Sequence, residues 1–166
     1  MPSRRQLMFV LGSAVILGPV AVWLGGSNGP ANIADEKFPV QKSDDEWRRQ
    51  LTADQYSVLR RHATERPFSS PLDREKRRGT FVCAGCGHAL FSSSTKFDSG
   101  TGWPSFWQPL PNAIGTSIDR VLFMPRTEVH CARCGGHLGH VFEDGPRPTG
   151  LRYCMNGAAM KFTPAA

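Results

Sequence analysis

Apolar and polar positions divide this chain into three unlike stretches. A nearly continuous apolar run from Leu7 to Leu24 follows Arg4 and Arg5 and gives way to Gly, Ser, Asn and Pro. That order is the layout of an export signal rather than of a folded element. Residues from about Asp35 to Lys42 read as a linker. Helical patterning follows: Asp44, Asp45 and Glu46 suit a helix start. Thr52 with Gln55 forms a capping box, and Tyr56, Leu59 and Ala63 recur at helical spacing. Phe68 to Arg78 is polar, carries Pro71, and reads as loop. From Gly79 onward the period shortens. Thr80–Cys83, Ser117–Met124, Thr127–His130, His140–Phe142 and Leu151–Met155 have strand character, separated by Gly and Pro clusters. The predicted architecture is mainly β, an α+β chain with an N-terminal helical hairpin packed on a small, twisted, antiparallel, barrel-like β-fold spanning residues 43–164.

Composition agrees with short elements. Among 166 residues there are 17 Gly and 13 Pro, with 40% hydrophobic residues, which favours turns over long helices and leaves enough for one core. The formal net charge is +6. Arg4 and Arg5 supply two of those charges, and the rest are scattered, densest at Arg60–Arg61 and Arg74–Arg78. A solvated basic face accounts for them, and no nucleic-acid motif accompanies them, so no nucleic-acid partner is expected.

The segment Ser3-Arg4-Arg5-Gln6-Leu7-Met8 resembles a twin-arginine signal, which exports proteins already folded. A general secretion signal with two arginines, or a retained membrane anchor, are the other readings of residues 1–34. The apolar run is at the lower limit for spanning a bilayer, and Gly12, Gly18 and Pro19 weaken it as a helix. Ala31 and Ala34 offer small residues for cleavage. The expected location is the bacterial periplasm, with the chain a monomer, soluble after cleavage or anchored.

Five cysteines change the picture most. Cys83-Ala84-Gly85-Cys86 and Cys131-Ala132-Arg133-Cys134 are matched pairs with glycines around the second cysteine of each. Two such knuckles make one closed tetrahedral thiolate site for zinc, whose role is stability. The alternative, two redox disulfides, lacks a thioredoxin-like βαβ setting. The 44 residues between the pairs mean that the metal ties distant parts of the β-fold together. Loading it in the cytoplasm before folded export protects thiolates from an oxidising compartment.

Cys154 is left over. Arg152 shares its face on a strand-like segment and, as a nearby cation, favours the thiolate. Asn156 falls on that face too, unless the strand bends. A lone cysteine is also a common buried hydrophobe, His137 and His140 have structural as well as acid–base readings, and Trp103, in a rigid Gly/Pro turn, serves either packing or an apolar wall.

Several ordered motifs then act together: Cys83-Ala84-Gly85-Cys86, Leu90-Phe91-Ser92-Ser93, Lys96-Phe97-Asp98-Ser99-Gly100, Gly102-Trp103-Pro104-Ser105-Phe106, His137-Leu138-Gly139-His140-Val141-Phe142, Asp144-Gly145-Pro146 and Pro148-Thr149-Gly150-Leu151-Arg152-Tyr153-Cys154-Met155-Asn156. With them, the stretch from about Asp45 to Phe162 resembles the methionine-R-sulfoxide reductases of type B. The resemblance implies a zinc-stapled β-fold and thiol-dependent reduction of the R epimer of methionine sulfoxide in oxidised proteins or peptides. It implies Cys154 as the catalytic cysteine, oxidised to a sulfenic acid, His137 or His140 as the acid, and Asn156 as an active-site residue. Trp103, Arg152 and Phe142 fall at positions that line or tune the substrate site. Many members carry a resolving cysteine where this chain has Thr101. With four sulfurs on zinc no second free thiol remains, so the reductant is external: a thioredoxin- or glutaredoxin-like protein, or a small thiol. A non-catalytic zinc-stapled binding module is the competing reading, and it has no need for Cys154, Trp103, His137, His140 and Asn156 together. A nucleic-acid-binding zinc ribbon is a third, and the export signal argues against it.

Overall fold

The computed structural model describes residues 38–120 and 125–166. The expected signal or anchor over 1–34, the start of the linker, and the end of the strand predicted over Ser117–Met124 lie outside these residues. Two helices come first. In α1 (Asp44–Gln50), Ser43 accepts from the Glu46 N–H while the Glu46 carboxylate accepts from the Ser43 N–H. In α2 (Ala53–Arg61), Thr52 and Gln55 form the same reciprocal cap. Each cap satisfies helix-end donors that would otherwise need water. The second helix stops at His62, in the left-handed conformation, so Ala63 lies beyond it. Trp47, Leu51, Tyr56, Val58 and Leu59 are buried along the hairpin.

Nine strands follow among the described residues: β1 (Gly79–Cys83), β2 (Ala89–Ser92), β3 (Lys96–Phe97), β4 (Ser105–Phe106), β5 (Ile114–Asp119), β6 (Arg126–Cys131), β7 (His137–Phe142), β8 (Arg152–Met155) and β9 (Met160–Pro164). They form two antiparallel sheets, in the orders β2-β1-β9 and β3-β4-β8-β7-β6-β5. The fold is mainly β with two helices, as the periodicity predicts. Several boundaries differ. Strand β5 begins three residues earlier than expected and β7 starts at His137. Strands β2, β3, β4 and β9 were not predicted, and Pro71–Arg74 forms a short 3-10 turn inside the expected loop. These strands are short or lack alternation. In β2, Leu90 and Phe91 are adjacent and both fully buried, because a bulge at Phe81/Val82 breaks the two-residue period.

The core is aromatic. Phe91 stacks on Phe106 at 4.3 Å between ring centroids, and Phe81 meets Phe106 edge-on at 4.9 Å. Leu90, Val129, Leu138 and Met155 are fully buried around them, each side chain contributing about 1.5–3 kcal/mol by leaving water. Residues 38–42, expected as linker, already touch this domain. The Val40 N–H donates to the Arg133 carbonyl at 2.8 Å, and the Phe38 ring meets His130 edge-on at 5.6 Å. No helix among the described residues is long and apolar enough to cross a membrane.

Candidate active site and metal centre

The two cysteine pairs fold into the same local device. In each, the N–H of the first cysteine donates to a carbonyl five residues on, His88 or Gly136. The N–H of the following glycine, Gly87 or Gly135, returns to the first cysteine's carbonyl at 2.9 Å. Both glycines have positive φ, 72° and 65°, which a side chain resists. The knuckles meet with Cys83 Sγ 3.7 Å from Cys134 Sγ and Cys86 Sγ 3.6 Å from Cys131 Sγ. All four sulfurs lie within 4.8 Å of one another, and none is in a disulfide. A tetrahedron with metal–sulfur bonds of about 2.3 Å has edges of about 3.8 Å. The donor set and its spacing therefore fit one metal ion, and Cys154 takes no part in it.

The second centre is one face of the six-stranded sheet. Side chains of register partners lie on the same side of an antiparallel pair. His140 is opposite both Glu128 and Cys154, Cys154 is opposite Ser105, and Phe142 is opposite Arg152. His137 and His140 are three residues apart and on a regular strand would face opposite ways. A bulge between Val129 and His130 shifts the register so that His137 pairs with His130, which lies on the Glu128 side. The two imidazoles thus share a face, their centroids 5.4 Å apart. The opposite face supplies Val129, Met155 and Phe106 to the core.

Cys154 is partly buried at the middle of this face. Its Sγ lies 3.9 Å from Thr101 Oγ1, which joins a chain of hydroxyls through Ser99 (2.8 Å) to Ser105 (2.7 Å), and Ser105 donates to the Trp103 carbonyl at 3.0 Å. Burial pushes the Cys154 thiol above its ordinary value, and Thr101 and Arg152 only partly oppose it. The expectation that Arg152 favours the thiolate is right in sign, but desolvation outweighs it. Arg152 is itself held by a bidentate pair with Asp144 (2.8 Å at both contacts) and lies 4.5 Å above the Phe142 ring. Phe142 is thus the shelf under the guanidinium.

Asn156 does not continue the face. Strand β8 ends at Met155, and Asn156 leads into the turn Gly157–Ala159. Its carboxamide is buried and engaged at both ends: Nδ2 donates to the Leu138 carbonyl (3.0 Å) and Oδ1 accepts from the Glu65 N–H (2.9 Å). Trp103 Nε1 donates to the Glu65 carbonyl (3.2 Å), and the Glu65 carboxylate accepts from Gly157 and Ala158 N–H groups. The loop at Glu65 therefore locks Trp103 and Asn156 in place beside the strand that carries Cys154.

Sequence reasoning missed Glu65, His62, Glu128 and Asp119. The Glu128 carboxylate accepts from His137 Nδ1 at 2.6 Å and pairs with His62 Nδ1 at 2.9 Å, while His140 Nε2 bonds Asp119 at 2.9 Å. Arg126 also pairs with Asp119. Burial alone would raise the Glu128 carboxyl; the two imidazoles overturn that and hold it well below the carboxylate range. His140 is also lowered, but with the causes reversed: burial lowers it, and Asp119 only partly restores it. A carboxylate inside a strand-like stretch, as in Thr127-Glu128-Val129-His130, was the available signal, since a charge there needs a partner. A cleft of about 930 Å³ opens on the histidine side, lined by His62, Asp119, Glu128, His137 and His140 among others, with Cys154 outside its lining.

Comparison with known proteins extends this picture. The family model described as the SelR domain matches residues 51–164. The chain is 59% identical over 126 residues to a peptide methionine sulfoxide reductase MsrB of Bradyrhizobium diazoefficiens, covering 75% of this chain and 91% of that protein. Against the MsrB of Leptospira interrogans it is 53% identical over 126 residues, 75% of this chain and 96% of the relative. Against the chloroplastic peptide methionine sulfoxide reductase B1 of Arabidopsis thaliana it is 54% identical over 120 residues, 72% and 59% of the two chains. With one partly buried thiol opposite His140, and a separate four-cysteine cluster, this chain belongs to the MsrB family of peptide methionine sulfoxide reductases, which are oxidoreductases.

Proposed function

We propose that this protein reduces the R epimer of methionine sulfoxide, in oxidised proteins or peptides, with Cys154 as the nucleophile. The observation that carries the reading is the placement of Cys154, in register between Ser105 and His140 on a polar sheet face and beside Arg152. The thiol loses its proton as its sulfur attacks the sulfoxide sulfur. The sulfoxide oxygen is protonated and transferred, methionine leaves, and Cys154 becomes a sulfenic acid: sulfur is reduced by two electrons in the substrate and oxidised by two in the enzyme. His137 and His140 are the groups on this face that can hold the proton on oxygen, and the Trp103 ring is the apolar wall for the methyl group. Arg152 stabilises the developing thiolate. An external thiol then attacks the sulfenic acid, releasing water, and a second thiol resolves the mixed disulfide. The reductant is a thioredoxin- or glutaredoxin-like protein or a small thiol. Zinc, held by Cys83, Cys86, Cys131 and Cys134, staples the fold.

Turnover of a peptide methionine-R-sulfoxide with dithiothreitol tests this directly. Wild type consumes the R epimer and leaves the S epimer, while Cys154→Ser loses at least about 10³-fold. Absence of turnover by wild type, or full activity in the serine variant, defeats it. We further infer that the enzyme acts outside the cytoplasm after twin-arginine export directed by residues 1–34, possession of Arg4 and Arg5 being the support. Replacing both by lysine blocks export; an exported double-lysine chain rules the route out.

A further inference from the structure

His62, Glu128 and His137 offer three donor atoms within 4.8 Å of one another, which raises a second metal site as the first question. The spacing answers it. Nitrogen and oxygen ligands at about 2.0–2.1 Å from a tetrahedral ion are about 3.3 Å apart. Here Nδ1 of His137 is 2.6 Å and Nδ1 of His62 is 2.9 Å from the same Glu128 oxygen. Those are charge-assisted hydrogen-bond lengths. The cysteine cluster passes the same test and this one does not.

What the cluster builds instead is a clamp. Both imidazoles reach Glu128 Oε1, and Ser117 donates to Oε2 at 3.0 Å. The carboxylate is almost entirely buried, at 7% side-chain exposure, and so is His137, at 3%. With Nδ1 committed to Glu128, the other ring nitrogen of His137, Nε2, is buried and has no hydrogen-bond partner among the described residues. A buried polar atom without a partner is costly and marks a group kept for something that arrives. His140 is held the opposite way, through Nε2 to Asp119.

We propose that Glu128 is a positioning residue of the reductase. It pins His137 through Nδ1, and His62 braces the carboxylate from the C-cap of α2, so that Nε2 of His137 is the ring nitrogen offered to the reacting groups. Whether neutral or charged, His137 then carries its Nδ1 proton on the Glu128 side and exchanges protons only at Nε2. The inference rests on the reading that His137 serves the reaction, and His137→Gln tests that reading by itself.

The experiment uses the full, zinc-loaded chain with a peptide methionine-R-sulfoxide and dithiothreitol, together with ¹⁵N NMR of the histidine rings. Glu128→Ala lowers kcat about 10–100-fold, leaves KM and zinc content unchanged, and moves the His137 ring off the Nδ1–H tautomer. Glu128→Gln keeps an acceptor, keeps the tautomer, and retains more kcat than alanine. A positioning role is overturned if Glu128→Ala has wild-type kcat while His137→Gln is impaired, or if kcat falls with the His137 tautomer unchanged. If Glu128→Ala does not fold, Glu128→Gln decides: wild-type kcat with an altered tautomer overturns the proposal. Full activity in His137→Gln defeats the underlying reading instead.

Discussion

At the scale of single residues, the contact between Thr101 and Cys154 has the most direct chemical consequence. The hydroxyl oxygen lies 3.9 Å from the sulfur, close enough that a thiol in its place reaches disulfide range with a small movement. In the wild type no such thiol exists, and the other four cysteines sit together in a cluster apart from Cys154. Treatment with methionine-R-sulfoxide alone should therefore leave wild-type Cys154 as a sulfenic acid that dimedone traps. Thr101→Cys should instead lose water and form an internal disulfide, visible by mass. A wild-type internal disulfide would contradict external recycling. The presence of Thr101 was plain in the sequence, but its contact with Cys154 was not, because 53 positions separate the two residues. Asn156 shows the same limit from the other side. Alternation placed it on the Cys154 face, whereas the strand ends one residue earlier and its carboxamide holds the loop at Glu65.

At the scale of elements, caps and knuckles were legible and pairings were not. Thr52 with Gln55 marked the start of α2, because a capping box is satisfied by residues three apart. Ser43 with Glu46 carries the same pattern and begins α1. Strands β4 and β9 are not legible in the sequence because their stability comes from cross-strand partners distant in it. The close approach of β7 and β8 is equally long-range. A Cβ on Gly139 would stand 2.1 Å from the Cys154 carbonyl oxygen, so only glycine lets these strands meet with Cys154 opposite His140. Gly139→Ala is expected to cost about 1–3 kcal/mol of stability and, by displacing the nucleophile's backbone, about 10²-fold in kcat. Thermal melting and steady-state kinetics check both, and an unperturbed kcat in the alanine variant would mean that the strand separation does not position Cys154.

At the scale of the whole molecule, the four-cysteine cluster and the sheet face that carries Cys154 are separate devices. The cysteine cluster joins the end of β1 to the end of β6, so it links the two sheets. Metal analysis of reduced, folded protein is expected to give one zinc per chain. Stripping it with a chelator should lower Tm by about 10 °C or more, as loss of a structural metal removes folding free energy directly. Less than one zinc per chain in folded protein would remove the staple. By itself, the sequence determined what depends on composition and local spacing: a mainly β chain after a helical hairpin, four paired cysteines, one cysteine over, and a set of motifs pointing to a sulfoxide reductase. Those features are local because each knuckle or cap closes within a few residues. Only the tertiary structure decided that a bulge turns His137 and His140 to one face, that Glu128 and Asp119 hold them, that Glu65 locks Trp103 and Asn156, and that burial pushes the Cys154 thiol up. Each of these depends on strand register and desolvation, which arise from contacts between residues far apart in the chain.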